Sequence, residues 1–202
     1  MLKTVLFDVD GVLLSEERYF DASSLTVWEM LNSSNYMGLA PETYKTDFSD
    51  EEIASIRKEV FVSDRVLKFL KSRGLNANWD MIFLAAGYQL LRLLSQVKER
   101  EKANIERWLS QDIDREVLLD IGSVLEKYKV EVNFEDFLAD FQDAEASKQG
   151  LLDHLDYLAA KKLGVTTDIF GKKGALWAVC EHISQEWYVG DKHVLNSTGR
   201  PS

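Results

Sequence analysis

The sequence predicts a mainly α chain, and three observations carry that expectation. From Arg18 to Val189, apolar residues recur at three- and four-residue spacing in one segment after another. Only two stretches look extended, Leu2 to Phe7 and Tyr128 to Val132. The breaks between helical segments fall on glycines, on an asparagine–serine run and on one of two prolines, where helices end.

Taken in order, Leu2 to Phe7 reads as a short buried strand that leads into Asp8-Val9-Asp10-Gly11-Val12. Arg18 to Leu31 places Phe20, Leu25, Val27, Trp28 and Leu31 on a helical face, and Asn32-Ser33-Ser34-Asn35 breaks it. Residues 35–50 read as a polar loop containing Pro41. Ser49-Asp50-Glu51-Glu52 is a capping-box signature, with Ser49 able to cap the helix start and Glu52 to reach back. That helix runs to about Phe61, and Ser63 starts another that ends at Gly74, where a left-handed cap is expected.

The longest pattern, Asn78 to about Arg100, is apolar on most sides through Trp79, Met81, Ile82, Phe83, Leu84, Leu90, Leu91, Leu93 and Leu94. It should be the central, most buried helix. Further helices are expected over residues 103–109, 114–127, 134–146 and 148–163, the last stopped by Gly164, and over 174–189. Tyr128 to Val132 fits an extended connector, and no internal repeat is present.

At 202 residues and 46% hydrophobic content, the chain can bury a real core, in one ordinary domain or two small ones. The single Cys180 cannot form an internal disulfide, which fits a reducing compartment. The N-terminal apolar run meets Asp8 too soon for a signal peptide, and no stretch approaches the ~20 apolar residues that span a bilayer. A cytoplasmic location is expected. The net charge of −10 argues against nucleic-acid and anionic-membrane partners, since phosphate neutralisation would have the wrong sign. A small phosphorylated metabolite needs only a local positive pocket and a metal.

Candidate chemistry centres on Asp8 and Asp10. In a strand, alternate side chains share a face, so both carboxylates point the same way while Val9 points to the other. Two like charges beside an apolar core cost energy unless a cation or proton is shared. Gly11 follows where the chain must turn. An EF-hand loop does not fit, because Leu13 and Tyr19 occupy its sixth and twelfth places.

This strand followed by Asp8, Asp10, Gly11 and Val12 resembles the first motif of the haloacid dehalogenase superfamily of phosphohydrolases. The resemblance implies an aspartyl-phosphate mechanism with Asp8 as nucleophile and Asp10 as general acid. It also implies a Mg²⁺ held by the Asp8 carboxylate and the Asp10 carbonyl, and a small phosphorylated metabolite as substrate. The implied architecture is the first strand of a Rossmann-like α/β core in residues 1–15, followed by a helical cap over residues 16–202. The remaining core would then be missing, and the chain alone inactive. Gly190-Asp191 superficially resembles the superfamily's last motif, but it follows a helical pattern, with His193 and Asn196 where a further acid is wanted.

Other residues carry weaker chemistry. Lys172 and Lys173, between Gly171 and Gly174 and ahead of a helix, could reach a substrate phosphate or carboxylate. His154, His182 and His193 lack metal-ligand spacing, and Cys180 reads as a buried structural thiol. Trp108, Trp177, Trp187 and Tyr188 recur within helices, so core packing is their default role. The alternative function is a non-catalytic helical binding or interaction module. An unpaired Leu2 to Phe7 strand would invite self-association through its edges.

Overall fold

The computed structural model describes residues 16–190, and every regular element within them is a helix. Nine α-helices lie among the described residues: α1 Glu17–Asn32, α2 Asp50–Val60, α3 Arg65–Ser72, α4 Asn78–Val97, α5 Lys102–Trp108, α6 Arg115–Leu125, α7 Phe137–Phe141, α8 Lys148–Leu163 and α9 Ala175–Val189. A single 3₁₀ turn, Pro41–Thr43, interrupts the connection between α1 and α2.

The centre is α4, buried without a break from Asp80 to Leu91 and again at Leu93, Leu94 and Val97. A helix apolar on most sides has to be surrounded to be stable in water, and α1, α8 and α9 pack around this one. In turn, α1 carries α2 and lies along α9, while α7 bridges α3 and α8.

Local chemistry sets several boundaries. The Ser49 hydroxyl accepts from the Glu52 N–H at 3.3 Å, and the Glu52 carboxylate accepts from the Ser49 N–H at 2.7 Å, so the capping box is formed on both sides. Ser49→Ala should therefore lower stability by about 1 kcal/mol. Thermal unfolding should show a midpoint drop of roughly 2–4 °C, and an unchanged midpoint would mean that the cap is idle. Gly74 and Gly164 close α3 and α8 with φ of 82° and 72°, in the left-handed region that glycine adopts without penalty.

The turn from α2 to α3 was not legible in advance. Val62, Ser63 and Asp64 are all left-handed, with φ of 51°, 54° and 62°. Each non-glycine residue there costs roughly 1–2 kcal/mol. The compensation is visible: Val62 is buried, and Arg57 forks onto both Asp64 carboxylate oxygens at 3.0 and 2.9 Å while reaching Asp21 at 3.3 Å. The planar guanidinium suits such two-point contacts.

The Tyr128 to Val132 stretch is an irregular connector, as expected, and α4 holds it through two glutamines. Gln96 accepts from the Glu131 N–H at 2.8 Å and donates to its carbonyl at 2.9 Å. The fully buried Gln89 does the same for Asn133, at 3.4 and 2.6 Å. Side-chain amides thus take the place that a neighbouring strand would fill.

Two expectations need correction or placement. The mainly α class holds, but no strand or sheet is present among the described residues, so no Rossmann-like α/β core appears there. The expected first core strand and the motif residues Asp8 and Asp10 lie outside the described residues.

Candidate functional site: an aromatic seam between the first and last helices

The start of α1 meets the end of α9. The Tyr19 ring stacks on Tyr188 with centroids 4.6 Å apart and planes at 15°, and the Tyr188 hydroxyl donates to that of Tyr19 at 2.8 Å. A cleft opens on each side of this pair, and Ala22 and Tyr188 line both.

The first cleft, about 690 Å³, lies between Tyr19, Tyr188 and the residues that lead into α4, from Asn76 to Trp79. Trp79 is 40% and Tyr188 49% exposed, although large aromatic surfaces are normally covered. Asn76, Asn78 and Gln185 line the same cleft. The second cleft, about 700 Å³, is walled by Phe48 and Ile53 on one side and Trp187 on the other. The charged residues along the seam have partners: Glu16 pairs with Lys71 at 2.5 Å, Asp21 with Arg57 at 3.3 Å and Arg18 with Asp50 at 3.7 Å.

Two buried carboxyls hold tryptophans near these clefts. Asp80, next to Trp79 in the chain, is fully buried and receives Lys148 at 2.5 Å, Lys173 at 2.9 Å and the Trp177 indole N–H at 3.0 Å. Trp177 meets Trp79 edge to face, 6.4 Å between centroids, and the Lys173 ammonium lies 4.5 Å over the Trp177 ring. Burial pushes the Asp80 carboxyl up, but hydrogen bonds from Lys148, Lys173 and Trp177 outweigh it and hold the group below the usual carboxylate range. Glu29 accepts at 2.7 Å from the indole N–H of Trp187, which lines the second cleft. Here burial prevails, and the Glu29 carboxyl is raised above its ordinary value.

The structure places Lys172 and Lys173 on two different carboxylates. Lys172 pairs with Asp168, and Lys173 with Asp80. His154 packs against Phe141 and donates from Nε2 to the Asp140 carbonyl at 2.7 Å. Cys180 is fully buried, and burial pushes its thiol up to about 12, which fits the structural reading. Trp108 is wholly internal as expected, whereas Tyr188 is not. Asp8, Asp10, Asp191, His193 and Asn196 lie outside the described residues. Among the described residues, no group of three or more His, Cys, Asp or Glu side chains is arranged to hold a metal ion. Sequence reasoning missed Tyr19, Asn76, Asn78 and Gln185, and it assigned Trp79 to the core. The one available signal was a tryptophan in the first turn of a helix, where a side chain can overhang the end of the bundle.

No family model and no curated protein matches the chain. Its fold is similar to an X-ray structure solved as a target of the Northeast Structural Genomics Consortium, with a TM-score of 0.85 and 35% sequence identity. The match covers 100% of this chain and 52% of that one, so the chain spans about half the length of the protein it resembles. The haloacid dehalogenase assignment is corrected on these findings. The described residues form an all-helical domain without a sheet, and the similar structure is described only as a genomics target. The class that fold and site define is an all-helical domain with an aromatic seam where its first and last described helices meet.

No helix among the described residues is long and apolar enough to cross a membrane.

Proposed function

We propose that this chain is a non-catalytic helical interaction module, and that the aromatic seam between α1 and α9 receives a basic, apolar segment of a partner polypeptide. The observation that carries this reading is the exposure of Trp79 and Tyr188 on one cleft, beside a stacked Tyr19. Rigid aromatic rings with polar edges contribute most of the affinity at protein interfaces, because they bury large areas while ordering few torsions. The amides of Asn76, Asn78 and Gln185 can satisfy backbone groups of an incoming segment, which would otherwise lose their water. Charge selects the sign of the partner: the seam's acids are paired, but the chain carries −10 overall, which draws in basic segments and repels acidic ones.

The test uses a labelled amphipathic peptide of about twenty residues, with leucines at helical spacing and lysines elsewhere, titrated against the chain by fluorescence anisotropy. Binding in the range of about 1–100 μM is expected. Replacing both Trp79 and Tyr188 with Ala should weaken it at least about tenfold, because the rings and not the net charge provide the contact. A glutamate version of the peptide should not bind. Equal affinity of the double variant and the wild type would overturn the reading.

A further inference from the structure

The connector between α6 and α7 has one edge satisfied and the other open. Gln96 and Gln89 of α4 each hold both the N–H and the carbonyl of one residue, Glu131 and Asn133 respectively. The two glutamines lie about 10.5 Å apart along the axis of α4. Residues 131–133 follow them only if nearly extended, since two residues reach about 7 Å at most and the glutamine side chains lean to close the rest. In an extended chain, successive residues point their N–H and carbonyl to opposite edges. Those of Glu131 and Asn133 face α4, so those of Val130 and Val132 face away from it. None of these outward groups has a hydrogen-bond partner among the described residues. The open stretch is short. Tyr128 closes a turn onto the Leu125 carbonyl at 2.9 Å, and the Asn133 side chain accepts from the Glu135 N–H at 2.8 Å.

The side chains alternate as well. Val130 and Val132 are half-buried against the core, while Lys129 and Glu131 are exposed. Neither Lys129 nor Glu131 forms an ion pair among the described residues.

We propose that this edge is a dimerisation strand: a second copy of the chain lays its own residues 129–133 alongside, antiparallel, with Val130 opposite Val130. An open edge accepts extended chains in general, and charge selects this one. The outward groups belong to even-numbered residues, so two copies pair 130 with 130, 130 with 132, or 132 with 132. The second register sets Glu131 against Glu131. The third sets Glu131 against Asn133 and leaves Lys129 beyond the paired stretch. The first sets Lys129 of each copy against Glu131 of the other, and a two-fold contact makes that pair twice. These are the non-hydrogen-bonded positions, where facing side chains come closest. The edge thus matches itself in one register alone. It shares no residue with either cleft of the aromatic seam, so the two surfaces work independently. Few hydrogen bonds form and each copy carries −10, so the dimer is weak. Its dissociation constant should be about 0.1–1 mM at about 0.15 M salt, where distant charges are screened.

The experiment is sedimentation of the chain from about 20 μM to about 2 mM, a range that brackets this affinity. The wild type should pass from monomer to dimer. Lys129→Glu and Glu131→Lys each replace both opposite-charge pairs with like-charge pairs, and should weaken the dimer at least about tenfold. An equimolar mixture of the two variants should dimerise like the wild type, because each copy again faces opposite charges. Val130→Pro removes an outward N–H while sparing those held by the glutamines, and should be monomeric with unchanged helical circular dichroism. The Trp79→Ala, Tyr188→Ala double variant should dimerise as the wild type does. A wild type that stays monomeric at about 2 mM would overturn the proposal. A dimer that Lys129→Glu leaves intact, or a mixture that fails to restore it, would do so too. A monomer whose Val130 and Val132 amides are nonetheless protected from hydrogen exchange would assign the edge to a different segment, and the second copy would be excluded.

Discussion

Gly122→Ala should remove a large part of the stability of this fold. A Cβ built at Gly122 lies 2.0 Å from the Met37 carbonyl oxygen and 2.6 Å from its carbonyl carbon, so α6 rests directly on backbone. A flexible side chain could turn aside, but Met37 cannot. Its side chain is buried and its N–H is bonded to Met30, which fixes the segment from below. Overpacking usually costs 1–3 kcal/mol, and a clash with anchored backbone should reach about 3 kcal/mol or more. That is a large share of the roughly 5–15 kcal/mol available to a domain. Calorimetry should show a midpoint lower by about 6–12 °C. A loss under about 1 kcal/mol would show that α6 and the Met37 segment can separate freely.

The second large effect is expected at Asp80. Asp80→Ala leaves two ammonium groups facing each other and the Trp177 indole N–H without its acceptor. Removing one partner of a wholly buried pair costs about 3–5 kcal/mol, but Lys148 and Lys173 are nearly half exposed and can turn to water, so about 2–4 kcal/mol is expected. The pH dependence gives a second check. Because the folded Asp80 carboxyl lies below the ordinary value of 3.8, its contribution is present above that value and lost as pH falls through the folded one. Wild type should therefore lose its advantage over Asp80→Asn in strong acid. A gap between the two that stays constant from pH 6 to pH 2 would contradict this account of the site.

Much of the helical framework was legible, and the reasons are local. The capping box at Ser49, the left-handed stops at Gly74 and Gly164 and the all-round apolar run of α4 each write their physics into a few neighbouring residues. The expected helix over residues 134–146 shrank to Phe137–Phe141, and beyond its end the carbonyls of Gln142 and Ala144 accept from Arg73, a partner about seventy residues earlier in the chain. Residues 35–50 read as a polar loop, yet Tyr36 and Met37 are buried, since what covers them comes from α6, far along the chain.

The site was less legible than the fold. A carboxylate such as Asp80 looks like an ordinary first-turn acid, and Glu29 like an exposed position on an amphipathic helix. Their burial follows from partners 68 or more residues away, Lys148, Lys173 and Trp177 for one and Trp187 for the other. The seam itself needs residues from both ends of the described chain, Tyr19 and Tyr188, and no spacing rule links them. The two-carboxylate motif at Asp8 and Asp10 drew the sequence reading towards phosphate chemistry, whereas the described residues form a helical body without a sheet.

The measurement that tests the central claim most directly is residue-by-residue mapping of peptide binding by amide chemical-shift changes in the ¹⁵N-labelled chain. With the lysine–leucine peptide, the interaction reading predicts shifts concentrated at the start of α1, at residues 76–79 and at residues 184–188, saturating together with one affinity. They should vanish in the Trp79→Ala, Tyr188→Ala double variant. Shifts centred instead on α5 and α6, or none at millimolar peptide, would contradict the claim that the aromatic seam is where this chain meets its partner.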